Sequence, residues 1–218
     1  MAVATRALVV LAKWPGAGRS KRRLAAAIGA RGSRKLAHAF LQDTATLAGR
    51  AGADTTVVAF APPSARAPIA RRFPAATLAP QPRGAFGTRL AHALDAGHAV
   101  AGAVVLIGTD SPTLDPWLLQ SAFTALAAGA DCVLGPSHDG GYYLIGCVRP
   151  LPRTLFHDVP WSTPEVYRLT RDRARAAGLQ VAELPAWYDV DDAASLALLR
   201  SDRRGLLRAT ATAAVLGA

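Results

Sequence analysis

The chain is short of cysteine, aromatic residues and acid. It has two cysteines in 218 residues, Cys132 and Cys147. Both sit in apolar runs and lack metal-ligand spacing, so a disulfide scaffold and a thiolate zinc site are excluded and reduced core cysteines are expected. Aromatic residues make up 6% of the chain, too few for the stacking platforms that single-strand nucleic-acid binders use. Long apolar runs are missing as well. The stretch in MAVATRALVVLAKWPG is ended by Lys13 and Pro15, well short of the roughly 20 residues a spanning helix needs. No membrane span is expected, and the default location is the cytoplasm.

Acid is outnumbered by base, 15 Asp and Glu against 25 Lys and Arg, for a formal net charge of +10. Such a balance suits nucleic acid, a membrane surface or phosphorylated small molecules, and does not choose among them. Most of the basic residues are arginines spread along the chain, such as Arg50, Arg66, Arg149 and Arg200, as on a solvated surface. What the chain does have is apolar bulk, 51% of its residues, enough to bury a core as one domain over residues 1–218.

The apolar residues fall into short runs separated by longer helical segments. Residues 6–12, 55–61, 103–108 and 131–135 are Val/Leu/Ile-rich and bounded by loop residues, as strands buried on both faces are. Residues 140–148 and 179–185 read as later strands. Helical spacing covers 33–50, 86–100 and 116–128, with Ser33 and Asp115 as expected N-caps and Pro116 in a first turn. Residues 151–156 and 162–178 also look helical. Strands alternating with helices predict an α/β fold with a mostly parallel sheet, whose ligands gather at the carboxyl ends of the strands.

At the first of those ends lies AKWPGAGRSKRRL, residues 12–24. It matches neither the Walker A loop nor the dinucleotide fingerprint, which needs a glycine where Lys21 stands. Its glycines still let backbone approach a phosphate, and Lys21, Arg22 and Arg23 cluster at the start of the following helix. The segment is either an exposed basic loop or a cradle for a nucleotide's phosphates. In IGTDSPTLDP, residues 107–116, Asp110 follows a buried strand directly. There it either forms a local turn or ligates a hard cation that bridges phosphates. Asp139 precedes a double glycine in GPSHDGGYYLIG, residues 135–146. Asp189, Asp191 and Asp192 crowd WYDVDDAASL, residues 187–196, where helix capping is the alternative to metal binding. His138 is a candidate for assisting acceptor binding, whereas His38, His92 and His98 lack ligand spacing. Trp161, Ser162 and Thr163 form either a helix entry or part of an acceptor pocket.

The ordered blocks K-x-P-x-x-G-x-x-K-x-R-L (Lys13 to Leu24), G-x-x-G-x-R-L (Gly84 to Leu90), GTDSP, GPSHDGGYYLIG, PWST and YDVDD resemble the bacterial glycosyltransferase-A-like transferase family long described only as a domain of unknown function, over nearly the whole chain to about residue 200. That family is similar to the nucleotide-diphospho-sugar transferase superfamily. The resemblance implies a GT-A, Rossmann-like three-layer fold. It also implies a nucleotide held by Lys13, Pro15, Gly18, Lys21, Arg23, Gly87 and Arg89, and a Mg²⁺ or Mn²⁺ ion held by Asp110 with Asp191, Asp189 being the other option. Asp110 and Asp139 would be catalytic, and Gly140, Gly141, Tyr142, Trp161 and Ser162 would line the acceptor or sugar side. The sequence departs from the pattern in three places. Arg22 stands where threonine is usual, Ala85 and Thr88 replace acids, and Asp192 replaces a threonine.

The expected activity is therefore a metal-dependent transfer from a nucleotide-activated donor to a small acceptor. Glycosyl transfer from a nucleotide sugar is preferred, and nucleotidyl transfer from a nucleoside triphosphate with pyrophosphate release is the alternative. A non-enzymatic nucleic-acid binder is the reading from another class, but the chain lacks that class's recognition motifs.

Overall fold

A computed structural model describes residues 5–16 and 21–218. Its centre is a seven-stranded sheet of β1 (Arg6–Lys13), β2 (Thr55–Ala61), β3 (Thr77–Pro80), β4 (Ala103–Ile107), β5 (Cys132–Pro136), β6 (Tyr142–Cys147) and β7 (Val181–Glu183), in the order β3-β2-β1-β4-β6-β5-β7. All neighbouring pairs are parallel except the two that β6 makes, with β4 and with β5. The expected three-layer, mostly parallel α/β fold is what the chain adopts.

The central strands are buried on both faces, as their unbroken apolar runs require. From β1 to β4, Leu8, Val10, Val58, Phe60, Val105 and Ile107 point into one layer. That layer is closed by α1 (Arg22–Ala48), α2 (Arg66–Arg72) and α4 (Pro116–Ala127). Val9, Val57, Val104 and Leu106 point into the other, beneath α3 (Phe86–His98) and α5 (Val166–Ala176). Each such side chain removed from water contributes about 1.5–3 kcal/mol. A third cluster joins Leu24, Leu36 and Phe40 of α1 to Val190, Leu196, Leu199 and Leu206, so that α6 (Ala193–Ser201), α7 (Arg203–Arg208) and α8 (Thr210–Leu216) pack on the first helix.

Asp115 caps α4 as expected, accepting from the Trp117 N–H at 3.2 Å. Ser33 does not cap a helix. α1 starts eleven residues earlier, at Arg22, and Ser33 is buried inside it. The helical path is broken at Gly29, whose φ of 75° and ψ of 158° are not helical, so α1 is two helical segments joined at a kink and Ser33 lies inside the second. Residues 151–156 form only a short 3-10 turn, Arg153–Leu155, and α5 begins at Val166 rather than near Ser162. Cys132 and Cys147 face each other across β5 and β6 as buried free thiols. Among the described residues, no helix is long and apolar enough to cross a membrane.

Strand order sets where a ligand goes. β1 lies between β2 and β4, so the chain leaves β1 toward one edge of the sheet and returns through α3 to β4 on its other side. Their carboxyl ends diverge at this switch point, which is where open α/β sheets form a crevice.

Candidate active site

A cleft of 590 Å³ opens at that switch point. Lys13 and Pro15 reach it from the end of β1, Lys21 from the start of α1, and Gly108 to Ser111 from the end of β4. Asp139, Gly141 and Tyr142 line it from the turn into β6. Arg89 comes from α3, Trp161, Ser162 and Thr163 from the segment before α5, and Asp189 and Asp191 from the approach to α6. Lys13 and Asp191, 178 positions apart in sequence, thus share one concavity.

Two carboxylates converge on one point within it. The Lys21 ammonium lies 2.8 Å from Asp110 Oδ1 and 3.1 Å from Asp191 Oδ1, and donates to the Val190 carbonyl at 2.8 Å. The Lys21 side chain is only 8% exposed. Burial alone would lower its pKa, but the charges of Asp110 and Asp191 more than offset this and raise it above the ordinary lysine value. Its backbone is left-handed, with φ 49° and ψ 50°, a conformation that costs a non-glycine residue of order 1 kcal/mol and is typically kept at functional sites. Arg23 is exposed and reaches Asp191 Oδ2 at 3.5 Å. The backbone bond from Val190 N–H to the Asp110 carbonyl, 2.8 Å long, fixes the two acidic segments side by side.

The three acids of YDVDD separate by role. Asp192 caps α6 in a capping box with Ser195 and points at that helix's first turn. Asp189 is half-buried, accepting from the Ser111 hydroxyl and, at 2.9 Å, from the Ser137 hydroxyl. Burial pushes its carboxyl up to about 6, with the Asp110 and Asp139 charges adding to the rise and the two hydroxyls opposing it. Asp191 alone of the three shares a cation with Asp110. Among the described residues, no group of three or more His, Cys, Asp or Glu side chains is placed to hold a metal. Two hard carboxylates that already bracket a positive charge nevertheless suit Mg²⁺ or Mn²⁺ when phosphate oxygens and water complete the shell.

The remaining residues singled out from sequence divide into cleft lining and scaffold. Asp139 is exposed and holds the Gly141 N–H on Oδ1 at 2.9 Å. Gly140, at φ 85°, does not line the cleft: a Cβ there would strike the backbone of Pro164. Gly87 is likewise a packing position, where a Cβ would lie 2.5 Å from the Phe156 carbonyl oxygen. Gly18 lies outside the described residues. His138 engages the site only through its backbone, donating to the Trp187 carbonyl at 2.9 Å.

Gln81 and Phe86, which carried no signal in the sequence, also reach the cleft, as does Ser111 of the GTDSP block. Gln81 uses its amide nitrogen on the Ala12 and Ala59 carbonyls, at 3.0 and 2.7 Å. With both amide hydrogens directed at backbone, its Oε1 is oriented as an acceptor.

Comparison with known proteins places this geometry in a family. The family model described as "Uncharacterized protein conserved in bacteria (DUF2064)" matches residues 44–163, more than half of the chain. The chain belongs to this family. Among solved structures, it is similar to a candidate nucleotide-diphospho-sugar transferase of Desulfovibrio desulfuricans G20, at 31% identity and a TM-score of 0.86 over 97% of this chain and 93% of that one. More distant likenesses share the fold alone. A nucleotidyl transferase of Methanothermobacter thermautotroptrophicus has 15% identity and a TM-score of 0.56, covering 94% of this chain and 98% of that one. The glucosyl-3-phosphoglycerate synthase of Mycobacterium tuberculosis, solved with Mn²⁺, uridine diphosphate and glucosyl-3-phosphoglycerate, has 14% identity and a TM-score of 0.55, covering 98% and 80%. No curated protein matches the DUF2064 chain in sequence.

Proposed function

We propose that this DUF2064 protein is a transferase that takes a nucleotide-activated donor and moves a glycosyl group from a nucleotide sugar to a small acceptor. The observation that carries the reading is the convergence of Asp110 and Asp191 on one cationic point at the β1/β4 switch, inside a cleft large enough for donor and acceptor together. The likeness to the Desulfovibrio protein supports the same class of donor.

Asp110 and Asp191 would hold Mg²⁺ or Mn²⁺. The ion's contribution when bound is to neutralise charge on the departing diphosphate. Lys21 and Lys13, with Arg23 at the rim, bring further positive charge to the donor's phosphates. Asp189, locked by Ser111 and Ser137, ties the loops after β4 and β5 to the Asp191 segment and so positions Asp110 and Asp191 rather than touching the donor.

In the transfer, an acceptor hydroxyl oxygen bonds to the sugar's anomeric carbon as that carbon's bond to the phosphate oxygen breaks, and the electron pair leaves with the nucleotide. Asp139, with Oδ1 fixed by the Gly141 N–H and Oδ2 unengaged, takes the hydroxyl proton. Positioning the two substrates supplies much of the rate.

Nucleotidyl transfer is the second reading. It is favoured by the exposed Arg22 and Arg23 beside the site, which add charge suited to a triphosphate. The two reactions differ in what leaves. With Mg²⁺ or Mn²⁺ and a set of nucleotide sugars and nucleoside triphosphates, glycosyl transfer releases a nucleoside mono- or diphosphate. Stoichiometric pyrophosphate that depends on Asp110 would establish nucleotidyl transfer instead.

A further inference from the structure

Arg89 is a cation of the cleft whose charge nothing among the described residues neutralises. Its guanidinium carbon stands 5.5 Å from the centroid of the Phe86 ring, and Phe86 meets Trp161 edge-on at 4.8 Å between centroids. All three side chains line the cleft beside Ser162 and Thr163. The Arg89 Nε is buried without an acceptor. Among the described residues no carboxylate pairs with the guanidinium, and the first turn of α3 holds no acid.

Lys21 is held by two carboxylates and a carbonyl, whereas among the described residues Arg89 meets an aromatic face and no hydrogen-bond acceptor for its Nε. Buried donors in native proteins are nearly always satisfied by protein, water or ligand, so one left open in the wall of a binding cleft is available to a ligand. A planar fork of N–H groups matches a carboxylate or a phosphate in two-point contact. Ser162, one of three non-glycine residues with positive φ among the described residues, sits at 69° in the same wall, an unfavourable backbone conformation of the kind kept where a site requires it.

We propose that Arg89 binds an anionic group of the acceptor, so that the acceptor is an acidic hydroxy compound carrying a carboxylate or a phosphate. The proposal rests on the transferase reading above. The wall formed by α3 and residues 161–163 comes from segments other than those that carry the carboxylate pair and Lys21, to which the reading above gives the donor's diphosphate. Donor phosphate is the other source of the same chemistry, and it is the assignment that the G-x-x-G-x-R-L block implies, so the test must separate the two.

Wild type, Arg89→Gln and Arg89→Lys are titrated calorimetrically with uridine and guanosine diphosphates in Mn²⁺. The nucleotide-saturated proteins are then titrated with glycerol phosphate, glycerate and glycerol. Nucleotide affinity is expected to stay within about threefold of wild type in both variants. Glycerol phosphate or glycerate should bind wild type, with a loss of about tenfold or more in Arg89→Gln and a smaller loss in Arg89→Lys, which keeps charge but not the fork. Glycerol should not bind. Loss of nucleotide affinity with the acids unaffected would assign Arg89 to the donor and overturn the proposal. So would acids that bind wild type and Arg89→Gln alike, or that do not bind wild type at all. If no nucleotide binds wild type, the transferase reading falls and this proposal with it; if nucleotide binds and the acids ignore Arg89, this proposal falls alone. The Arg89→Lys arm and the retained nucleotide binding distinguish a lost contact from a misfolded variant.

Discussion

Lys21 Nζ lies 2.8 Å from Asp110 Oδ1, and the same ammonium bonds Asp191 Oδ1 at 3.1 Å. The lysine therefore stands where two acids separated by 81 positions would together meet a divalent cation. In the proposed site, lysine and metal would compete for the same carboxylate oxygens, and removing either partner should shift the balance in a predictable direction.

Replacing Asp110 by alanine should abolish metal-dependent turnover while leaving the fold intact, because its side chain is 45% exposed and the core layers do not include it. Nucleotide with Mn²⁺ should stabilise wild type by about 2.7 kcal/mol at a hundredfold excess over Kd, roughly 5–10 °C in melting temperature for a chain of this size. The variant should lose most of that shift. Full turnover in Asp110→Ala would remove it from the site.

Lys21→Ala should have opposite effects on metal and nucleotide. Without the ammonium, Asp110 loses its cationic partner and Asp191 keeps only the exposed Arg23 at 3.5 Å, so Mn²⁺ alone should bind more tightly than to wild type. Nucleotide binding in saturating Mn²⁺ should weaken by about 1.5–3 kcal/mol through loss of a charge-assisted contact. Titrating Mn²⁺ by its paramagnetic signal, then nucleotide by calorimetry, separates the two. Unchanged metal affinity would show that the lysine does not compete for the carboxylates.

Gly87→Ala tests whether the G-x-x-G-x-R-L block acts through packing. A Cβ there would lie 2.5 Å from the Phe156 carbonyl oxygen and 3.2 Å from Trp161 Cζ2, so α3 or the 156–161 segment must shift. Overpacking of this kind costs about 1–3 kcal/mol, and the shift displaces Trp161, which packs on Phe86. A lowered melting temperature with a changed tryptophan emission is expected. A variant as stable as wild type would mean that the segment yields freely.

Most of the sheet was legible because β1, β2, β4, β5 and β6 are unbroken apolar runs, a pattern that burial on both faces produces. β3 was not, since Thr77–Pro80 is an edge strand with exposed ends and no apolar run to mark it. The helix was read as starting at Ser33, after glycines at 29 and 32. The break does fall at Gly29, so the second segment of α1 starts just before the expected cap. What the sequence did not mark is the short first segment, which Leu24 packs into the third cluster. In the site, Asp110 was visible as an acid directly after a buried strand. The division of labour within YDVDD was not, because Asp189 is distinguished only by Ser111 and Ser137, which lie 78 and 52 positions away and are delivered by the fold.

Asp43 offers a prediction about the scaffold beneath the site. It is 3% exposed in the middle of α1, yet its carboxylate accepts from the Ala211 N–H at 3.0 Å and the Thr212 N–H at 2.8 Å. Those N–H groups belong to the first turn of α8, which has no side-chain cap of its own. Asp43 thus caps a helix 168 positions away, satisfying orphan donors and placing negative charge at a helix N-terminus. Asp43→Ala should cost about 1–3 kcal/mol, a fall of roughly 2–10 °C in melting temperature. Asp43→Asn should be intermediate, because one amide oxygen still accepts while the NH₂ faces a second donor. Hydrogen exchange localises the effect: amides of 210–216 should lose protection in Asp43→Ala, while those of β1 and β4 keep theirs. Nucleotide binding should persist, since Asp43 lies outside the cleft. Exchange at Ala211 and Thr212 as slow as in wild type would mean that α8 is held by its contacts with α1 and α7 and that the carboxylate contributes little.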